Sequence, residues 1–446
     1  MLDLATALQF PIATSSFAAQ RLLDILPFHD SEAMRSARLN LYRAGDSAAR
    51  GFRDDTFLYG AFQLADRAQA ALAGLAVDAS TFKAFTPGYL RKAASDLIAG
   101  SAAFFEAFAT PSARQVLQDR IRNARQVLSF ANEVCAPSKL SSDGYYPLDE
   151  IVENCYARGD YPAPWLLEQV GERYAEAWLA EASINGRPLR GLQSTGQSLC
   201  LADKTMPMLH AGMGACFARN TIHRLTPLST AEEIDDALKS FLDLVDDNSR
   251  AGYKGAALEA LGYVVRSRYI QMVDAIYDRL VLMDGPASEH FWHGAGRAIF
   301  FSPMYMAPGF SPFHAAAREG PNDTARLNAR AGVAWAFTMA NLKEPEIVAD
   351  FLMHYEDEIS EDRVFENGVT SALISAGETV PGHRFVTGFC RYDPVSLPVA
   401  DKWNRYVGSD CEPQVTFYRE TLRSKGMPGE VFRYHSLRDL IASLEV

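Results

Sequence analysis

The fold is decided by Ser288-Glu-His-Phe-Trp-His-Gly-Ala-Gly-Arg-Ala-Ile-Phe-Phe301, in which a cluster of small residues interrupts an otherwise bulky segment. Similar clusters recur through the second half of the chain, at spacings of 43, 39, 38 and 36 residues. Their phase markers are Gly212, Gly255, Gly294, Gly332 and Gly368. Glycine lets two helix backbones approach closely and also accepts the positive φ that a tight turn can require. Each cluster is therefore expected to open a mostly apolar helix that packs on its neighbours.

A second and more polar helix is predicted between successive clusters. Thr230-Ala-Glu-Glu233 has the pattern of a capping box, and Ile234, Leu238 and Phe241 follow it at helical spacing. Two helices in a unit of about 40 residues are typical of stacked helical hairpins. The sequence therefore predicts an all-α fold with irregular, α-solenoid-like hairpin repeats over residues 205–380.

Three further regions complete the predicted organisation. Residues 1–140 have helical patterning and are expected to form an N-terminal helical domain. Residues 141–204 begin with several turn-forming residues and are expected to be a connecting helical segment. Residues 381–446 contain scattered prolines and glycines, which predicts an irregular C-terminal extension that ends in one helix.

Composition excludes several classes of protein. The chain has 446 residues, of which 48% are hydrophobic and 22% charged, so it can form a large core and is not disordered. Its net charge of -12 argues against a nucleic-acid-binding protein, which normally has a basic surface. No apolar run reaches the roughly 18 residues that a membrane-spanning helix needs. A small apolar molecule or a partner protein is the expected ligand, and a homo-oligomer is possible.

The first residues and the cysteines predict a cytoplasmic location. No Lys or Arg precedes Arg21, so the basic start of a signal peptide is missing. The six cysteines include no CxxC pair and no zinc-ribbon spacing. They are expected to be small buried hydrophobic residues in a reducing compartment.

Three of the glycine-rich motifs resemble a known family. They are Tyr253-Lys-Gly-Ala-Ala-Leu-Glu-Ala-Leu-Gly262, Trp292-His-Gly-Ala-Gly-Arg-Ala-Ile-Phe-Phe301 and Arg330-Ala-Gly-Val-Ala-Trp-Ala-Phe-Thr338. Together they are similar to motifs of a bacterial family of unknown function that occurs beside enediyne and other polyketide biosynthesis genes. The chain departs from that pattern at Lys254 and Ala257, where the family tends to have an acidic residue and a glycine. The resemblance implies a role beside secondary metabolism, in which the protein handles a long apolar or polyene-like molecule.

The densest group of polar residues lies just before Gly294. His290 and His293 are three residues apart and can share one helix face, and Glu289 can orient an imidazole. Because histidine titrates near neutral pH, His293 and Glu289 are predicted to be the catalytic acid–base pair. A metal site at His290 and His293 would need further ligands, for which His210, His314 and His354 are the candidates, but nothing in the sequence places them nearby. The favoured alternative is structural: one histidine of the pair binds a backbone carbonyl and the other is exposed. No metal is predicted, and the sequence identifies no cofactor.

Arg297 has two interpretations of nearly equal weight. It either binds a ligand anion or is the buried partner of an acidic residue such as Glu259 or Glu289. The stretch from Phe300 to Phe313 mixes aromatic residues, methionines and prolines, so it cannot be helical throughout, and it suits either a hydrophobic ligand or a cover for the core. The predicted substrate-binding residues are His290, Trp292, Arg297, Tyr305 and Trp335.

Two functions remain open at the level of sequence. One is a secondary-metabolism enzyme or accessory protein that binds a small, largely apolar substrate between helical repeats. The other is a non-catalytic helical-repeat module that binds a partner protein. Nucleophile-elbow, P-loop and zinc-protease motifs are all missing from the sequence. A closed pocket where His293 and Arg297 converge favours the first function, and an open groove with exposed aromatic residues favours the second.

Overall fold

The computed structural model describes residues 147–301 and 312–435, apart from gaps at 344, 357–358, 360–362 and 409–410, and also residue 440. The chain divides into two compact units, Met1–Ala136 with Pro303–Ser311 and Pro137–Ser302 with Pro312–Val446. All of the described residues belong to the second unit. The N-terminal helical domain predicted for residues 1–140, Tyr305, and the body of the predicted final helix lie outside the described residues.

The described residues form helices and no β-strand, which confirms the all-α prediction. In chain order the α-helices are α1 (Leu148–Ala157), α2 (Pro162–Asn185), α3 (Met206–Ile222), α4 (Ala231–Asn248), α5 (Lys254–Arg268), α6 (Val273–Met283), α7 (Gly285–Phe301), α8 (Pro312–Glu319), α9 (Asp323–Ala340), α10 (Pro345–Tyr355), α11 (Val364–Thr379), α12 (Arg384–Cys390), α13 (Leu397–Tyr406) and α14 (Cys411–Ser424). Short 3-10 helices are Gly196–Cys200, Asp203–Thr205, Ile270–Met272 and Pro428–Phe432. Among these helices none is both long and apolar enough to cross a membrane.

The core is a row of buried helices in which α2, α3, α5, α7, α9 and α11 pack on one another in that order. The row curves back on itself, because α11 also contacts α2 and α3. Two tyrosine hydroxyls tie the start of the described chain to later helices. Tyr156 of α1 donates to the Thr379 carbonyl at the end of α11 at 3.0 Å, and Tyr161, just before α2, donates to the Ala340 carbonyl at the end of α9 at 3.1 Å. A regular solenoid-like repetition of these helices stays a prediction.

Glycine sets the distance between the buried helices. A Cβ atom on Gly262 or Gly294 would overlap a backbone carbonyl across the α5–α7 contact. The same holds for Gly296 and Gly332 across the α7–α9 contact. Because the obstacle is backbone and not a movable side chain, only glycine permits these helices to pack as closely as they do.

The placement of the glycines within their helices corrects the sequence analysis. Gly212, Gly294 and Gly332 lie in the middle of α3, α7 and α9 and do not open them; only Gly255 stands in the first turn of its helix. None of the five phase markers has a positive φ. Their role is therefore close packing of helix backbones and not the formation of a turn.

One polar helix, α4, stands in the chain between the buried helices α3 and α5. α4 begins with the predicted capping box, in which Thr230 and Glu233 exchange hydrogen bonds with each other's backbone N–H. Its buried face carries Ile234, Leu238 and Phe241. This helix packs on α3, α5 and α6, so it covers one side of the row.

The region beyond residue 380 is more helical than predicted. It contains α12, α13 and α14. After α14, residues 428–435 lie against α5, α7 and α11, and the backbone N–H of Gly429 donates to the Gly252 carbonyl at 2.8 Å. We call residues 428–435 the C-terminal segment.

The close contact between α7 and α9 makes a prediction about stability. Gly296→Ala should lower the free energy of unfolding by about 2 kcal/mol or more, because the new methyl group forces the two backbones apart. Urea denaturation measures the change. Gly388→Ala in α12 is the matched control, because its Cβ would meet nothing within 4 Å and alanine favours a helix. Equal stability of the two variants would contradict the proposed role of glycine.

Candidate functional site

Arg297 lies at the centre of a buried charge cluster. Its Nη1 donates to Glu259 Oε2 at 3.2 Å, and its Nη2 forms a short hydrogen bond and ion pair with Glu168 Oε1. Both α2 and α5 therefore send a carboxylate to one guanidinium on α7. Arg297 is thus the buried partner of acidic residues, which is one of the two interpretations that the sequence left open. Glu259 was one of the two partners predicted from the sequence.

His293 belongs to the same cluster. Its Nδ1 lies 3.5 Å from Glu259 Oε1, and both side chains are fully enclosed. One carboxylate thus faces a guanidinium through one oxygen and an imidazole through the other. His293 and Arg297 both approach Glu259.

Aromatic rings surround the charges. The Arg297 guanidinium lies 4.6 Å from the centre of the Tyr263 ring and 5.5 Å from that of Trp335. The ring of Trp335 is also 6.3 Å from that of His293 and 6.0 Å from that of Phe432 in the C-terminal segment. Trp335 Nε1 donates to Ser375 Oγ at 3.2 Å, so α11 fixes the indole. We call Glu168, Glu259, Tyr263, His293, Arg297 and Trp335 the central cluster.

The central cluster contains three buried polar atoms without a hydrogen-bond partner. They are Glu259 Oε1, His293 Nδ1 and Arg297 Nε. Most buried polar atoms in folded proteins are hydrogen-bonded, and an unpaired one costs free energy. Two of the three, Glu259 Oε1 and His293 Nδ1, lie 3.5 Å apart and face each other.

The charges of the central cluster do not balance unless a proton is added. Burial raises the pKa of the Glu168 carboxyl, and the opposing effect of the nearby Arg297 does not cancel it. For Arg297, burial lowers the pKa, but Glu168 and Glu259 outweigh that effect and the net pKa is raised. The guanidinium is therefore permanently charged, while two carboxylates compete for it. A proton held on Glu168 would make the cluster neutral.

Glu289 is not next to the imidazole that it was expected to orient. It lies at the partly exposed side of α7, where its Oε2 accepts a hydrogen bond from Arg433 Nη1 at 2.8 Å. The carboxylate beside His293 is Glu259, on another helix. Glu289 stands four residues before His293, so helical spacing keeps the two near one face, but Glu289 lies one turn earlier, where it meets Arg433 of the C-terminal segment.

His290 and Trp292 also point elsewhere. His290 Nδ1 forms a 2.9 Å hydrogen bond with the Phe432 carbonyl, so this is the histidine that binds a backbone carbonyl. Burial lowers its pKa to about 3, with Arg433 adding to the effect. Trp292 is fully buried against Tyr277 of α6, on the side of α7 opposite to the cluster. Of the predicted residues in the described part of the chain, only His293, Arg297 and Trp335 come together.

His210, a candidate metal ligand, is used structurally. Its Nδ1 hydrogen-bonds the Met206 carbonyl at 2.8 Å, and its Nε2 accepts the backbone N–H of Arg250 at 2.9 Å. This pair of contacts fixes a neutral imidazole that joins α3 to the residues before α5. Within the described residues, no three His, Cys, Asp or Glu side chains are grouped as a metal site would require.

Sequence reasoning missed Glu168 and Tyr263. Glu168 is 129 residues from Arg297 in the chain, and nothing in the local pattern of α2 connects the two. Tyr263 stands four residues after Glu259, so the helical period alone would have placed it on the same face.

Comparison with known proteins adds no homologue. No protein-family model, curated protein or solved structure matches this chain. The likeness of three glycine-rich motifs to the polyketide-associated family therefore stays a hypothesis.

The ion pairs of the central cluster make a second prediction. Arg297→Met should destabilise the protein by about 3–5 kcal/mol, because two carboxylates are left without their buried partner. Chemical denaturation at neutral pH measures the loss. The control is Arg391→Ala, which breaks the ion pair between Arg391 and Glu412. The Arg391 side chain is 69% exposed, so its loss should leave stability nearly unchanged. An Arg297→Met protein as stable as the parent would show that the pair contributes little.

His210 makes a third prediction, which concerns pH. Burial lowers its pKa from 6.5 to about 4, so between these values the unfolded chain binds more protons than the folded one. Stability must then fall as pH falls through this range, by roughly 2–3 kcal/mol for this group. Unfolding free energies at pH 6.5 and pH 4 should show a smaller loss in His210→Gln than in the parent. Identical losses would mean that His210 is protonated in the folded state.

Proposed function

We propose that the protein binds a small, largely apolar molecule at the central cluster and acts on it as an enzyme or accessory protein. The observation that carries this proposal is the group of three unpartnered buried atoms, Glu259 Oε1, His293 Nδ1 and Arg297 Nε. A hydroxyl group of a ligand would donate to Glu259 Oε1 and accept from Arg297 Nε, while Trp335, Tyr263 and Phe432 would contact its apolar part.

The acid–base role moves from Glu289 to Glu259 in this proposal. His293 would accept a proton from the ligand, and Glu259, with an oxygen 3.5 Å from Nδ1, would stabilise the imidazolium. Arg297 would hold Glu259 in position. The three groups occupy a site of low polarity, where such interactions are stronger than in water.

The exposure of the aromatic residues argues against the alternative of a protein-interaction module. An open binding groove would expose its aromatic side chains, but Trp292 is 0% and Trp335 1% exposed. A place in secondary metabolism depends on the motif resemblance alone, and the genes that neighbour this one would test it directly.

Native mass spectrometry of freshly purified protein tests the proposed site. The parent should carry a small molecule that is released on unfolding. Glu259→Gln and His293→Asn should lower the occupancy about tenfold. Because Glu259→Gln also removes a buried partner of Arg297, occupancy is compared at a temperature where each variant is folded. Glu412→Gln, which changes an exposed carboxylate far from the cluster in sequence, should retain the molecule.

Two results would contradict the proposal. One is equal occupancy in the three variants, which would place the molecule elsewhere. The other is a parent protein that carries nothing and whose melting temperature does not change in metabolite extracts. A large fall in the melting temperature of His293→Asn without any ligand would assign His293 a structural role.

A further inference from the structure

The C-terminal segment covers one side of the central cluster. The ring of Phe432 lies 6.0 Å from that of Trp335, and the Phe432 carbonyl is bound by His290, one helical turn before His293. On this side the cluster is closed to solvent, with Glu259 0%, His293 1% and Trp335 1% exposed. Phe432 is itself 1% exposed. Access to the unpartnered atoms from this side therefore requires a movement.

Side chains from three helices hold the segment by its backbone. Asn328 of α9 accepts the N–H of Tyr434 at 2.7 Å, and Asn367 of α11 donates to the His435 carbonyl. His290 of α7 holds the segment at 2.9 Å. These are single hydrogen bonds between neutral groups, and water replaces such bonds at a modest net cost.

One ion pair adds to these attachments. Arg433 donates to Glu289 of α7 at 2.8 Å and to Glu430 of its own segment at 2.7 Å. The side chains of Arg433 and Glu289 are 23% and 30% exposed, so water reaches the pair. A pair in contact with water contributes little to stability. The segment is therefore held by contacts that can break and form again.

The segment begins at a defined turn. α14 ends in a Schellman motif, in which Gly426 has a φ of +67° and the N–H of Met427 donates to the Leu422 carbonyl at 2.8 Å. A Cβ atom on Gly426 would meet nothing within 4 Å, so the turn has open space around it. Residues at the end of a helix are common hinges.

Gly255 makes room for the segment. A Cβ atom on Gly255 would overlap the Gly429 carbonyl and the ring of His290. The obstacles are the segment and one of the side chains that hold it, whereas at Gly262 and Gly294 the obstacle is another buried helix. Alanine at position 255 would therefore push the segment outward, while α5 itself gains a better helix former.

The opposite side of the cluster is a harder route. The Glu168 side chain there is 16% exposed, but the Arg297 guanidinium binds both Glu168 and Glu259 and so stands between them. A molecule that enters past Glu168 must break buried hydrogen bonds between charged groups. Such bonds are roughly twice as strong as the neutral ones that hold the segment.

We propose that the C-terminal segment is a gate that swings about the end of α14 and opens the enclosed side of the central cluster to its ligand. This inference rests on the function proposed above, because a gate needs a site behind it. In the closed form the segment excludes water from His293 and Glu259, and Phe432 would press the apolar part of the ligand against Trp335.

Chemical modification of histidine tests the gate without any ligand. The folded full-length protein is treated briefly with diethyl pyrocarbonate, which modifies accessible neutral imidazoles, and peptide mapping gives the rate at each histidine. Gly255→Ala should raise the rate at His293 about fivefold or more, because the segment is lifted. Gly388→Ala, whose methyl group meets nothing within 4 Å, is the matched control and should keep the parent rate. His210, buried in α3 with both ring nitrogens hydrogen-bonded, should react equally slowly in every protein.

A second pair of variants keeps the test decisive if Gly255→Ala does not fold. Arg433→Gln breaks the link to α7 and should also raise the rate at His293. Arg391→Gln breaks an exposed ion pair outside the segment and should not. In the parent protein, the amides of residues 428–435 should exchange hydrogen faster than those of α7 and α9, because the segment opens without global unfolding.

Three results would overturn the gate. They are an unchanged rate at His293 in the segment variants, a rate that rises equally at His210, and amides in 428–435 that exchange as slowly as those of α7. The measurement needs no bound molecule, so it is independent of the native mass spectrometry. A gate that opens in a protein that carries nothing would contradict only the proposed function, and a bound molecule with an unchanged His293 rate would contradict only the gate.

Discussion

The whole described structure depends on the close approach of helix backbones at glycine. Gly262 and Gly294 allow α5 to meet α7, and Gly296 and Gly332 allow α7 to meet α9. Side chains at these four positions would separate the helices by the size of at least a methyl group. The polar groups of the central cluster would then no longer reach each other. Helix packing and the arrangement of the charges are therefore consequences of one constraint.

In the central cluster, the free-energy cost of burying charged groups is opposed by the ion pairs that they form. Arg297 gains two carboxylate partners and two aromatic faces, which offsets the cost of removing its charge from water. Glu259 has a remaining oxygen that faces His293 without a hydrogen bond. Replacing a buried ion pair with apolar residues of similar volume is often neutral or stabilising. Stability alone therefore does not explain polar atoms that are left unpaired in the core. Their retention in the core supports a site that a ligand completes.

The structure also shows how one helix separates structural from functional roles. His290 and Trp292 face a backbone carbonyl and an outer helix, while His293 and Arg297 face the central cluster. Residues 290 and 293 were expected to share a face, but the C-terminal segment supplies a partner for the first and α5 for the second. Neighbouring positions on a helix differ in direction by about 100°, so the partner that each residue meets depends on what packs there.

The sequence alone determined that the fold is all-α and that its glycine-containing apolar helices are buried. Helical periodicity, the capping box at Thr230 and the repeated glycines identified buried helices alternating with polar ones, since these signals are local. It also identified Arg297 as a charge in an apolar helix, with Glu259 among its possible partners. Only the tertiary structure decided that Glu168 completes the pair and that Glu289 turns to Arg433. Those contacts join residues far apart in the chain, and their formation depends on how helices pack, which no local pattern encodes.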